Sequence, residues 1–427
     1  MAQMDEPRLP RALVVNFNAP ELNNLALALA HQGELLRYVR PYVNKGRPWE
    51  RTLAGLPLAG GFYQRSFGRR RIVDRQLATL THEAGVMADV CAAAASRMAW
   101  VPARWRQQWT SSLYKSVREA VAEAACRLAG DASCVVAYEG FALPSFEALR
   151  STGGRQAVLN YPVAHHRLRR SARAEEIERE PAFASTWPDF DDWPPGHEER
   201  LDEEIHLADA ILVGSSYASD SFARAGIERA KLKVVPYGVD LETFHPPLQA
   251  RRADDFRAIY TGQLTQRKGL SYLLRGYRKF ARRDTRLTLV GSRVGSPLAL
   301  QPFETVVRHV PHQTRRALAQ MYRESDVFVF PTLVEGMPLV VLEAMACGLP
   351  VIVTANGPAD IVRDGVDGFI IPERDEDAVC ERLERLYRDR ELCARMGLQA
   401  SRRAREFGWS AYTDKVREHL ADLARRA

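Results

Sequence analysis

The sequence predicts an α/β protein with two doubly wound parallel-sheet domains. Three observations lead there. Short β-rich apolar runs alternate with helical stretches, the pattern of a parallel sheet covered on both faces. The alternation comes in two separate series, along a chain of 427 residues that has the length for two or three domains. Apolar residues make up 46% and charged residues 26% of the chain, a globular balance that excludes fibrous, collagenous and wholly disordered classes.

The first series opens with RALVVNF (11–17), followed by the helical stretch ELNNLALALAHQG, which Gly33 ends. It continues with SCVVAYE (133–139), RQAVLNYP (155–162), DAILVGS (209–215) and LKVVPYG (232–238), with helical segments at 198–208 and 216–225. The second series is FRAIYTG (256–262), TRLTLVG (285–291), TVVRHV (305–310), DVFVFPT (326–332), LPVIVTA (349–355) and GFIIP (368–372). The join is expected in LETFHPPLQARRADD (241–255), which has a proline pair, polar residues and no periodicity. This divides the chain into domains over 1–245 and 246–409 and a last amphipathic helix over 410–427. Two segments stand apart: a basic, aromatic, helix-leaning insertion at about 40–132, and 165–200, with an Arg-rich start and the loop WPDFDDWPPG.

Nowhere do 18 apolar residues run together, so no membrane-spanning helix is expected. The N-terminus, MAQMDEPRLPRALVV, places acids before its first apolar run and lacks the apolar core of a signal peptide. Cys91, Cys126, Cys134, Cys347, Cys380 and Cys393 are scattered without a CxxC pair, which argues against a zinc site or a disulfide framework. A cytoplasmic location follows as the expectation. The net charge is +7, yet residues 37–75 alone carry ten basic residues against Glu50 and Asp74. Such a basic stretch points to an anionic partner. Its aromatic interleaving suggests docking of Arg69, Arg70 and Arg71 to an anionic membrane surface or a phosphorylated glycolipid. No nucleic-acid-binding motif accompanies it.

The segment FPTLVEGMPLVVLEAMACGLPVIV (330–353) carries the strongest chemical signal. A strand ends at Pro331, a loop presents Glu335, and Gly336 allows close backbone approach to a ligand. Pro338 suits a first helical position, and the helix runs to about Cys347. Its N-terminus offers N–H groups to an anion or to sugar hydroxyls. Glu343 lies about 7–8 Å further along the axis, so the two carboxylates can grip different parts of one extended ligand. In YTGQLTQRKGLSYLL (260–274), a strand ends at Gly262 and a loop delivers Arg267 and Lys268 to a helix start near Gly269. Two cations at the C-terminal edge of a parallel sheet suit a diphosphate. Neither a Walker A loop nor a GxGxxG fingerprint is present.

Glu335-x7-Glu343 within EGMPLVVLEAMACGLPVI, preceded by the G-x5-KG element from Gly262 to Gly269, resembles the retaining glycosyltransferases of family 4, which adopt the GT-B fold. The resemblance spans about Ala208 to Trp409 and includes SSYASDSFARAGI, VVPYGVDLETF and GPADIVRDGVDGFIIP. It implies two Rossmann-like domains facing across a cleft, with the last helix returning to the N-terminal one. By the same resemblance Glu335 and the backbone of Gly336, Met337, Pro338 and Leu339 contact a donor sugar. Glu343 binds a ribose diol, and Arg267 with Lys268 holds the diphosphate. A histidine facing the donor sugar matches His165, or else His166. Two departures are Gln263, where the family often has Arg, and Asn16-Phe17-Asn18-Ala19, where many members have paired glycines.

These readings converge on transfer of a sugar from a nucleotide-diphosphate donor to a glycan or glycolipid acceptor, with cations rather than a metal neutralising the leaving group. A GT-B epimerase or phosphorylase, or a silent GT-B scaffold, are the alternatives. The Asp-x-Asp string in DFDDW (189–193) lies among prolines rather than at a strand end, so no metal is expected there. Trp187, Phe190 and Trp193 either stack on a sugar or pack their loop.

Overall fold

The computed structural model describes residues 11–56, 59–67, 70–98, 100–152, 155–187, 196–248 and 255–426. The expected docking residue Arg69 and the Asp-x-Asp string with Phe190 and Trp193 lie outside these described residues.

Two parallel sheets organise the chain. The first has strands β1 (Ala12–Val15), β2 (Leu35–Arg40), β3 (Thr81–Glu83), β4 (Cys134–Tyr138), β5 (Gln156–Asn160), β6 (Ala210–Val213) and β7 (Leu232–Val234), in the order β3-β2-β1-β4-β5-β6-β7. The second has β8 (Phe256–Thr261), β9 (Thr285–Val290), β10 (Val307–Val310), β11 (Val327–Phe330), β12 (Val351–Thr354) and β13 (Gly368–Ile371), in the order β10-β9-β8-β11-β12-β13. The central strands β1, β4, β5, β11 and β12 are apolar and buried almost throughout, as strands covered on both faces must be. In both sheets the chain winds outward for three strands and then returns to the other side of its first strand. That reversal leaves a switch point between β1 and β4 in one sheet and between β8 and β11 in the other, where the loops after adjacent strands diverge.

The chain forms two compact units. One comprises Met1–Asn160, Gly196–Ile211 and Thr413–Ala427; the other comprises Tyr161–Pro195 and Leu212–Tyr412. This division differs from a single boundary near 245. Glu176 and Tyr237 bond to loops that follow strands of the six-stranded sheet: Glu176 accepts from Gln266 at 2.7 Å, and Tyr237 N–H donates to Met337 Sδ at 2.9 Å. Within the first unit, Arg417 of the last helix clasps Glu34 with two bonds of 3.0 and 2.9 Å.

The expected insertion at 40–132 is mostly helical, ending in a helix of 27 residues at Ala103–Ala129. It also supplies β3, and β2 ends within it at Arg40; neither strand is legible by apolar periodicity. Part of the +8 charge of 37–75 is answered from just beyond that window. Lys45 and Arg47 pair with Glu83, and Arg70 pairs with Asp89, whose side chain is fully buried. Arg40 is itself buried and donates to Asn23 at 2.8 Å. Arg37, Arg51, Arg71 and Arg75 remain exposed. Among the described residues no helix is long and apolar enough to cross a membrane.

Candidate functional site

At the β8/β11 switch point two loops lie side by side. After β8 the chain makes a short turn at Gln266–Lys268, and Gly269 leads into the helix Leu270–Phe280. Gly269 has φ +69°, and a Cβ on it would lie 1.9 Å from the Pro331 carbonyl oxygen. Only glycine satisfies both the left-handed backbone and this close approach. The loop after β11 bonds to the same turn: Leu333 N–H and Thr332 Oγ1 donate to the Arg267 carbonyl at 2.9 and 3.2 Å, and Arg267 Nη1 donates to the Val334 carbonyl at 2.8 Å.

This pairing brings Glu335 onto the two cations. Lys268 Nζ lies 2.6 Å and Arg267 Nη1 2.9 Å from Glu335 Oε1. Lys268 also sits 4.8 Å from the Phe330 ring centroid. All three charged groups are largely withdrawn from solvent. Burial alone would raise the Glu335 carboxyl, but Arg267 and Lys268, by charge and by hydrogen bonding, outweigh it and hold it down to about 2. Burial lowers the Lys268 ammonium, with Glu335 opposing. The corner gathers two basic side chains on one carboxylate, a set of donors suited to an incoming diphosphate.

Gly336 has a close approach from within the protein itself. A Cβ there would lie 1.8 Å from the Pro162 carbonyl oxygen, so the neighbouring backbone by itself requires glycine. Ser215 Oγ donates to the Gly336 carbonyl. Met337 is buried, its sulfur accepting from Tyr237. Pro338 is the N-cap residue, with ψ 109°, rather than the first helical residue; the helix is Leu339–Ala346. No side chain caps this helix, and its first N–H groups follow directly on Gly336–Pro338.

Glu343 does not join the Glu335 cluster. It lies 4.0 Å from Arg315, which also approaches Asp240 at 3.6 Å. Burial pushes the Glu343 carboxyl up to about 7, with Arg315 opposing and Asp240 adding. Gly262 ends β8 with φ +141°, next to the Lys268 side chain. His165 is buried at the N-cap of the helix His166–Arg179, where its Nδ1 accepts from Arg167 N–H at 3.2 Å. Its N–H donates to Ser221 Oγ at 2.8 Å, and its ring packs on His166 and Phe222. His166 Nδ1 lies 3.3 Å from the Tyr161 hydroxyl. Trp187 is buried against Tyr272, Leu333 and Val334, so it packs the protein's own core. Arg315 and Asp240 had no local signal: each matters only through the fold that brings it to Glu343.

Residues 255–389 match the family model described as Glycosyl transferases group 1. The chain is 35% identical over 246 residues to the D-inositol 3-phosphate glycosyltransferase of Frankia alni, covering 51% of this chain and 60% of the relative. It is 30% identical over 236 residues to the protein of the same name from Paenarthrobacter aurescens, covering 50% and 58%. The chain thus spans less than two thirds of the length of these curated relatives. Among solved structures it is similar to Anabaena Alr3699/HepE in complex with UDP and glucose (TM-score 0.61, 14% identity, 96% of this chain and 99% of that one). It is also similar to the sucrose-phosphate synthase of Thermosynechococcus elongatus (TM-score 0.60, 19% identity, 97% and 99%). The fold is GT-B.

Proposed function

We propose that this protein is a retaining glycosyltransferase of the family 4 type, moving a sugar from a nucleotide-diphosphate donor to a glycan or glycolipid acceptor. The observation that carries the reading is the convergence of Arg267 and Lys268 on Glu335 beside an uncapped helix N-terminus. Breaking the anomeric bond leaves negative charge on the diphosphate and positive charge on the sugar ring. Arg267 and Lys268 stabilise the first without a metal, and the ionised Glu335 stabilises the second. Glu343 takes the ribose diol. His165 faces the donor sugar, supported by its place three residues after Pro162, whose carbonyl abuts Gly336. The names of the relatives, glycosyltransferases acting on D-inositol 3-phosphate, support the same reaction class.

The acceptor side is proposed to work at the inner face of a membrane, in cell-surface polysaccharide or lipopolysaccharide synthesis. Support comes from the exposed Arg37, Arg51, Arg71 and Arg75 and from the tryptophans Trp49 and Trp100, which are 51% and 82% exposed.

Thermal shift against UDP-, GDP-, ADP- and dTDP-sugars tests the donor assignment, since a ligand at 100 times its dissociation constant adds about 2.7 kcal/mol. Binding of one nucleotide sugar is expected, with acceptor-dependent release of nucleoside diphosphate. Release without acceptor points instead to an epimerase, dependence on inorganic phosphate to a phosphorylase, and no binding at all to a silent scaffold.

A further inference from the structure

The turn that carries Arg267 and Lys268 is held from behind by a buried carboxylate on a distant helix. Glu176, in the helix His166–Arg179, is 1% exposed. Its Oε1 accepts from Gln266 Nε2 at 2.7 Å and from the Tyr272 hydroxyl at 2.8 Å, and its Oε2 accepts from Arg374 Nε at 2.9 Å. Gln266 is the residue immediately before Arg267. Both of its amide N–H groups are used: besides Glu176, it donates to Ser271 Oγ at 2.6 Å, and its oxygen accepts from Ser271 N–H at 3.0 Å. Its backbone N–H donates to Thr186 Oγ1 at 2.9 Å. The turn is thus tied to Thr186, Glu176 and Ser271 through the residue next to Arg267.

Arg374 shows that this contact is imposed on the chain. Its φ is 60°, and among the described residues no other non-glycine residue has a positive φ. An arginine adopts that backbone only where its surroundings over-determine it, and such outliers point to function. Here the guanidinium reaches Glu176 and also lies 3.3 Å from Glu175.

We propose that Glu176 is a positioning residue, which together with Arg374 locks the Gln266–Lys268 turn so that both cations meet the donor's pyrophosphate. This rests on the reading of that turn as the diphosphate grip. Glutamine at 176 cannot replace glutamate: three donors converge on the carboxylate, and an amide would set its NH2 against at least one of them.

The test measures dissociation constants of wild type, Glu176→Gln and Arg374→Gly for UDP, GDP, ADP and dTDP and for the matching nucleosides, well below each melting temperature. Glycine is at ease at φ +60°, so Arg374→Gly removes the guanidinium without adding backbone strain. Both variants are expected to bind the preferred nucleoside diphosphate about tenfold more weakly, while nucleoside affinity stays at the wild-type level. Wild-type diphosphate affinity in the variants, or an equal loss for nucleoside and diphosphate, overturns the positioning role while leaving the functional reading intact. A wild type that binds none of the four diphosphates overturns the functional reading, and this inference with it.

Discussion

The two sheets share one winding order, yet their switch points are finished in opposite ways. Between β1 and β4, the chain ties the loops together with its own side chains. Asn16 accepts from Ala19 N–H at 2.8 Å and donates to the Ala19 carbonyl and the Tyr38 hydroxyl at 2.9 and 2.8 Å. Phe17 stacks on Phe141 at 5.4 Å across the switch point. The loop after β4 hangs on buried Glu204, which accepts from the N–H groups of Gly140, Ala142 and Leu143 at 2.7, 2.9 and 3.1 Å. Between β8 and β11, glycine and proline shape the backbone, and the side chains delivered there are Arg267, Lys268 and Glu335. The same topology offers a ligand crevice in both sheets. Local residue chemistry makes one a self-bonded structural joint and gathers two basic side chains on a carboxylate at the other.

The sharpest way to break that contrast is to remove one group from each switch point. Lys268→Ala should cost about 3 kcal/mol of transition-state stabilisation, a loss of a hundredfold or more in kcat/KM. Glu204→Ala strands three N–H groups, two of them buried, and should cost about 3 kcal/mol of stability, with nucleotide affinity unchanged. Both variants lose some thermal stability, since Lys268→Ala also leaves Glu335 short of a partner; nucleotide binding is what separates them. Lost nucleotide affinity in Glu204→Ala, or full transfer activity in Lys268→Ala, ends the distinction.

A smaller effect separates the two glutamates of the Glu335-x7-Glu343 motif. Glu335 is held at about 2, below its ordinary value of 4.5. Between those values the unfolded chain binds the extra proton, so this contribution is complete above about pH 4.5 and is lost as pH falls towards 2. Glu343 stands at about 7. Here the folded chain holds the extra proton, so the contribution is complete below pH 4.5 and is lost as pH rises through 7. Melting temperatures across pH should show Glu335→Gln converging on wild type in acid. Glu343→Gln should gain on wild type between pH 4.5 and 7. Parallel profiles for the two variants contradict the assignment.

Legibility in the sequence followed the same division. All six strands of the second sheet lie within apolar runs visible in the sequence, and the turn from Gly262 to Gly269 stands out because glycine and adjacent cations are locally informative. β2 was obscured because LLRYVR carries Arg37 and Arg40, and the buried Arg40 finds a partner in Asn23, seventeen residues earlier. Two acids that meet part of the basic stretch, Glu83 and Asp89, fall beyond Arg75, and only the fold pairs them with Lys45, Arg47 and Arg70. Gly336 was legible as a required glycine but not for its cause, since Pro162 approaches it from 174 positions earlier in the chain. Glu176, Arg374, Arg315 and Asp240 are ordinary charged residues until tertiary structure pairs them. Periodicity and turn chemistry are local and survive in one sequence; burial of a polar residue by a distant partner does not.

The faintest expected effect lies in the first unit and tells a solvated arginine from a structural one. Arg70 and Arg71 are neighbours in sequence with opposite surroundings. Arg70 pairs with Asp89 and sits 5.5 Å from the Phe67 ring, with its side chain 15% exposed. Arg71 is exposed, and its backbone pairs with Asn44. Docking to an anionic surface draws on cations free to reach it, each adding about 1 kcal/mol. Arg71→Gln should therefore weaken binding to vesicles rich in anionic lipid about fivefold at low salt, with the difference shrinking as salt rises and the melting temperature unmoved. Arg70→Gln should instead lower the melting temperature, because it leaves Asp89 buried without its cation. Vesicle binding that ignores Arg71 at low salt removes the docking proposal and leaves this arginine as part of a solvated face.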